Sequence, residues 1–188
     1  NNINSSIYTH NHADKTHGIN DLRVFFLKNR KKIPVYVDRI TKSYLSKSFS
    51  YCFNKNIDYP ATLKFFNMKK KLNFGKFIKI ESVQVQHGSI KSLSFIINKK
   101  LAYLPDANKI YKKDYDKFRN LQYLIIDCLR YKKHPSHFNL DDVLELNILL
   151  KPNKMILTNL HSDLDYDKLS NILPKNIKPA YDGLSINF

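Results

Sequence analysis

The sequence is short of acids, cysteines and long apolar runs, and each shortage narrows the field. No apolar stretch approaches the roughly 18 residues of a membrane span, and no signal peptide is visible, so a protein of the cytoplasm with no membrane partner is predicted. Cys52 and Cys128 are the only cysteines and neither lies in a CxxC pair, which excludes zinc-ribbon and thioredoxin-like readings. They read as small core residues in a reducing compartment. No internal repeat or low-complexity linker divides the 188 residues, so one domain over 1–188 is predicted, beginning without Met as if cut from something longer. Acids number 16 against 32 basic residues, a net charge of +16. That excess suits a phosphate-bearing partner, RNA included. The lysines, however, are spread along the chain, and a Lys-, Asn- and Ile-rich composition also follows from an AT-rich coding sequence, so charge alone assigns no function.

What is there is an alternation of strand and helix patterns. Strands are predicted at 5–8, 33–38, 77–87, 121–129 and 154–160, with a hairpin over 93–106. A short helix or turn follows Gly18, and a helix over 41–53 starts with Thr41 as its N-cap. Two more helices cover 139–152, with Asn139 as N-cap and Pro152 past the end, and 165–173. Strands that first cluster and then alternate with helices predict α/β layering. Polar residues gather where predicted strands end: His12 with Asp14, His87, Asp106, and Asn159 with His161. Active sites of layered α/β proteins sit at such ends, where loops leave the rigid sheet.

The histidines sharpen this. All seven, His10, His12, His17, His87, His134, His137 and His161, lie in or beside loops that follow predicted strands. Imidazole is the commonest metal ligand, and carboxylates complete such sets. In an extended segment residues i and i+2 face one side, so His10 and His12 can address one ion. Lys15, in the middle of "THNHADKTHG", cannot ligate a metal while charged.

The stretch "THNHADKTHGINDLR" resembles the HxHxDH signature of the metallo-β-lactamase superfamily. "VQVQHG", "AYLPDA", "LRYKKHPSHF", "LTNLHSDLDY" and "AYDG" follow in the family's order. "HPSHF" and "LDY…YDG" are similar to the phosphodiesterase branch, which includes the cyclic ribosyl phosphate phosphodiesterase of phosphonate breakdown and, more distantly, tRNase Z. The resemblance implies a four-layer αββα sandwich, here without the family's amino-terminal strands. It implies a first metal site of His10, His12 and His87, with Asp106 bridging. A second site would map onto Asp14, Lys15, Asp106 and Asn159, where the family has histidine at both the Lys15 and the Asn159 positions. Two departures on one ion predict a single metal per chain, zinc, manganese or iron, with Lys15 pairing the acids in place of the second. His161 or His17 rebuilding a two-metal site, and a metal-free relic, are the alternatives. By the same resemblance His137 is the general acid/base; in a one-metal site Asp14 is expected to orient the water and Lys15 to neutralise phosphoryl charge. His134 and Arg130 are candidate substrate contacts; His17 is expected to support the loop. The implied function is a phosphodiesterase acting on a small or cyclic phosphate ester. The alternatives are a tRNase Z-like RNA nuclease, disfavoured because no long basic insertion is visible, and an inactive relative. A homodimer is expected by analogy.

Overall fold

The computed structural model describes residues 3–55 and 59–188. The chain forms two compact units, residues 1–69 and 70–188. Both are α/β, each with one sheet and attendant helices, as the strand and helix patterns predict.

In the first unit the elements are β1 (Ser6–Ile7), α1 (Ala13–Thr16), a 3-10 segment (His17–Leu22), α2 (Arg23–Asn29), β2 (Ile33–Val37), α3 (Arg39–Ser48), α4 (Ser50–Phe53) and β3 (Leu63–Asn67). The sheet runs β1-β2-β3 with both pairs parallel. The alternation in "IPVYV" buries Ile33, Val35 and Val37 against Tyr8, Leu45, Cys52 and Leu63. The helix predicted from Thr41 begins two residues earlier. Asp38, extended at φ −73° and ψ 174°, accepts the backbone N–H of Thr41 at 2.7 Å, so Asp38 is the N-cap and Thr41 is buried in the first turn. Phe49, at φ −131° and ψ 38°, breaks the predicted helix into α3 and α4.

The second unit contains β4 (Lys71–Phe74), β5 (Ile78–His87), β6 (Ile90–Ile97), β7 (Leu101–Leu104), α5 (Tyr115–Phe118), β8 (Tyr123–Asp127), α6 (Leu140–Leu150), β9 (Lys154–Thr158), α7 (Tyr166–Ile172) and β10 (Ile177–Pro179). Its seven strands are ordered β10-β9-β8-β7-β6-β5-β4. The four from β7 to β10 are parallel, and β4 to β7 alternate in direction. Leu124 and Ile126 of β8 and Met155 and Leu157 of β9 are sealed in a core shared with Phe118 and with Val143 and Leu150 of α6. Helix α6 forms because its apolar residues recur at helical spacing and its start is closed by a capping box. Asn139 Oδ1 accepts from the N–H of Asp142 at 2.9 Å, and the Asp142 carboxylate accepts from the N–H of Asn139 at 3.1 Å.

Candidate metal centre

Strands β5, β7, β8 and β9 run in one direction, because β6 reverses the chain twice between β5 and β7. Their C-terminal ends therefore share one edge of the second unit. His87 is the last residue of β5, Asp106 lies two residues beyond β7, Asp127 ends β8 and Asn159 follows β9. His137 reaches this edge from the connection between β8 and α6. His87, Asp106 and His137 bring ligand atoms within 4.8 Å of one another. His87 and Asp106 are each 2% exposed, so a cation there would meet little competing water.

Hydrogen bonds set the imidazoles. The carbonyl of Ser136 can only accept, so His87 Nδ1 donates to it at 2.7 Å. The neutral ring then carries its lone pair on Nε2, the state a metal ligand needs. His137 Nδ1 lies 2.6 Å from Asp127 Oδ2 and 3.9 Å from Asp106 Oδ1. The His87 and His137 rings meet edge to face at 4.7 Å. Asp127 is fully buried and accepts three hydrogen bonds, from His137, from the Ala107 N–H at 3.1 Å and from Asn159 Nδ2 at 3.1 Å. Burial pushes its pKa up, and these three bonds only partly offset that. Sequence reasoning missed Asp127. Its one signal was a lone acid closing the apolar run "YLIID", where a strand delivers it to the same edge as Asp106.

Gly88 holds the edge tight. It opens the two-residue turn between β5 and β6 at φ +60°, and an added Cβ would lie 2.9 Å from the Cβ of Ser136. Only glycine gives both the turn and that approach. The remaining candidates of this unit lie as follows. His134 Nδ1 meets the N–H of Ser136 at 3.3 Å and its hydroxyl at 3.1 Å, with its ring 5.1 Å from that of His137. Its pKa is lowered by burial and then by His137, Arg130 and His87. Arg130 donates to the carbonyls of Lys132 at 3.3 Å and Lys133 at 3.0 Å, inside its own loop. His161 is paired through Nδ1 with Asp163 at 2.8 Å and its side chain is 57% exposed.

In the first unit His10 is buried, and its Nδ1 is bonded to the Thr9 hydroxyl at 3.0 Å. His12 is extended at φ −68° and ψ 155°, and its ring stands 4.5 Å from that of His10. The i, i+2 spacing therefore brings the two rings together, as predicted. Asp14 and Lys15 follow in α1 and are ion-paired at 2.5 Å. Partial burial raises the Asp14 pKa, but the Lys15 hydrogen bond and charge, helped by His10, outweigh it and hold the carboxyl below its usual value. His17 Nε2 meets the Tyr44 hydroxyl at 3.1 Å and its ring packs on Phe49, so it braces the loop.

The beta-lactamase superfamily domain profile matches residues 1–159. The chain belongs to this superfamily. Among solved structures, a diphosphatase of the PhnP family is 28% identical with a TM-score of 0.89, covering 100% of this chain and 72% of that one. The metallo-β-lactamase fold protein YhfI of Bacillus subtilis is 17% identical with a TM-score of 0.76, covering 96% and 76%. Human tRNase Z, short form, is 14% identical with a TM-score of 0.72, covering 98% and 78%. The latter two likenesses are of fold. No curated protein sequence matches the chain significantly. The superfamily and its fold are those of metal-dependent hydrolases, and the second unit supplies imidazole and carboxylate donors suited to a divalent cation.

Proposed function

We propose that this metallo-β-lactamase superfamily member is a metal-dependent phosphodiesterase acting on a small or cyclic phosphate ester, with one metal per chain. The observation that carries the reading is the pairing of His137 with the buried carboxylate of Asp127 beside His87 and Asp106. A metal bound there supplies a Lewis acid for the phosphoryl oxygen and an activated water. His87 and Asp106 would hold it, and the family resemblance would add His10 and His12 as ligands. His137, with Nδ1–H fixed on Asp127, gives the Nε2 proton of its doubly protonated ring to the departing alkoxide and is left neutral with Nδ1–H still on Asp127. The family resemblance, not this pairing, assigns His137 the acid role, since its ring is close enough to His87 and Asp106 to ligate. Lys15, ion-paired with Asp14, is the candidate cation for phosphoryl charge. The diphosphatase activity of the PhnP-family relative fits the same chemistry, since a diphosphate also needs an activated water and a neutralised phosphoryl group.

Elemental analysis and hydrolysis of bis-p-nitrophenyl phosphate test this together. His87→Ala and Asp106→Ala should lose metal and activity. His137→Ala should keep its metal and lose about 10²–10⁴-fold in kcat. Loss of metal from His137→Ala would make His137 a ligand and end the acid assignment. Lys15→His should raise the metal count above one per chain.

A second reading, an RNA phosphodiester substrate, is favoured by one surface. Lys71, Lys76, Lys79 and Lys99 line a groove beside Phe77, which is 85% exposed. Lysines alternating with an open aromatic suit a single strand's phosphates and bases. Steeply salt-dependent RNA binding would favour it, and salt-independent or absent binding would dismiss it.

A further inference from the structure

We propose that Asn159 is a positioning residue for the His137–Asp127 pair, serving the acid where the family resemblance places a metal-ligating histidine. The inference rests on the acid role of His137 stated above. Asn159 leaves β9 at φ 62°, a left-handed conformation that asparagine tolerates through its short polar side chain. Its amide must present Nδ2 to Asp127, because a carboxylate oxygen does not donate; the distance to Oδ1 is 3.1 Å.

The consequence lies in how the carboxylate is held. Asp127 Oδ2 accepts from His137 Nδ1 at 2.6 Å and from the Ala107 N–H at 3.1 Å. Asn159 fixes the other oxygen, so the plane of the carboxylate cannot swing about its terminal torsion, which is otherwise broad. A fixed plane keeps a lone pair of Oδ2 aimed at His137. Asn159 Nδ2 also lies 3.4 Å from His137 Nδ1. Both nitrogens carry hydrogens directed at one acceptor group, so this contact is two donors side by side. That arrangement keeps the hydrogen on Nδ1 directed at Asp127, which fixes the ring orientation and turns Nε2 away from the carboxylate. With Asn159 absent, Asp127 would keep two of its three donors, and the imidazole would gain freedom to rotate and change tautomer.

Asn159→Gly removes the side chain at a left-handed position that glycine accepts without strain. In the metal-loaded protein the expected result is wild-type metal per chain and KM within about twofold, with kcat on bis-p-nitrophenyl phosphate down about tenfold. The His137 Nδ1 proton resonance, displaced downfield by its carboxylate partner, should move upfield or broaden away. In a His137→Ala background the same change should cost no further activity, because Asn159 acts only through that ring. Asn159→Ser, whose hydroxyl is too short to reach Asp127, should repeat the result and serves if the glycine variant folds poorly. Loss of metal from either variant would make Asn159 a ligand and overturn the proposal. So would an unchanged kcat with an unchanged proton resonance, or a full additional loss in the double variant. If the wild type does not cleave the ester, the phosphodiesterase reading fails by itself, and the proton resonance still decides whether Asn159 orients the ring.

Discussion

At position 88 an added methyl group would meet Ser136, whose carbonyl accepts the His87 Nδ1–H, while the backbone is held at positive φ. Gly88→Ala is expected to cost on the order of 1–2 kcal/mol from the left-handed backbone alone, more if Ser136 cannot yield. It should also weaken metal binding by displacing His87. Urea unfolding and a metal titration check the two effects. Cys128, buried and beside Asp127, has its pKa pushed up to about 12, first by burial and then by the charges of Asp127 and Asp142. A thiol pKa raised in the folded state contributes stability that is complete below its ordinary value near 9 and is lost as pH rises through about 12. Alkaline unfolding in that window should therefore be steeper for the wild type than for Cys128→Ala, by on the order of a few kcal/mol, in melts between pH 8 and 12. Iodoacetamide at pH 8 should leave both cysteines of the folded protein unmodified. At this scale the sequence was most legible where side chains declare their chemistry: histidines and aspartates at strand ends marked His87, Asp106 and His137. Asp127 stayed hidden, and Asn159, though marked at a strand end, gave no sign of its partner, because their meaning is relational. An acid closing an apolar strand and an amide after the next strand become partners only when β8 and β9 lie side by side in register.

Among the elements, α6 depends on Asn139 twice. Its side chain caps the helix, and its Nδ2 donates to the Tyr131 carbonyl at 3.1 Å, tying down the connection that carries His137. Asn139→Ala should cost about 1 kcal/mol through the lost cap, and it should lower kcat as well, since the loop loses its anchor. A capping variant that only melted the helix would change stability alone, so paired thermal melts and kinetics separate the two roles. Helix α6 was readable because cap, acids and apolar spacing agree. The overlooked strands share a physical character. β3, β4 and β10 are the edges of their sheets, and "LKFFN", "KLNF" and "IKP" carry the lysines and proline that keep sheet edges from pairing with other chains. The same residues erase the apolar alternation by which a strand is recognised. The early start of α3 was missed for a related reason: Asp38 read as the end of a strand, and its capping role required knowing that the strand stops at Val37.

On the scale of the whole molecule, a bound metal should act as a stabiliser by mass action, since the unfolded chain holds no assembled site. With free metal at about 1,000 times Kd the gain is about 4 kcal/mol, or about 8–16 °C in Tm for a chain of this size. Scanning calorimetry with zinc or manganese and then with EDTA checks it, and an unchanged Tm would contradict metal binding. The family was legible because its motifs are local and ordered along the chain. The fold class followed from the rhythm of strands and helices. The two-residue connection between β5 and β6 has a consequence for how such a chain can diverge. Loops elsewhere on this rim can lengthen while their strands stay put. One extra residue at 88–89 would shift the pairing by a step and rotate the imidazole at 87 to the opposite face of the sheet. Descendants of this sequence should accept insertions almost anywhere along that rim before they accept one there.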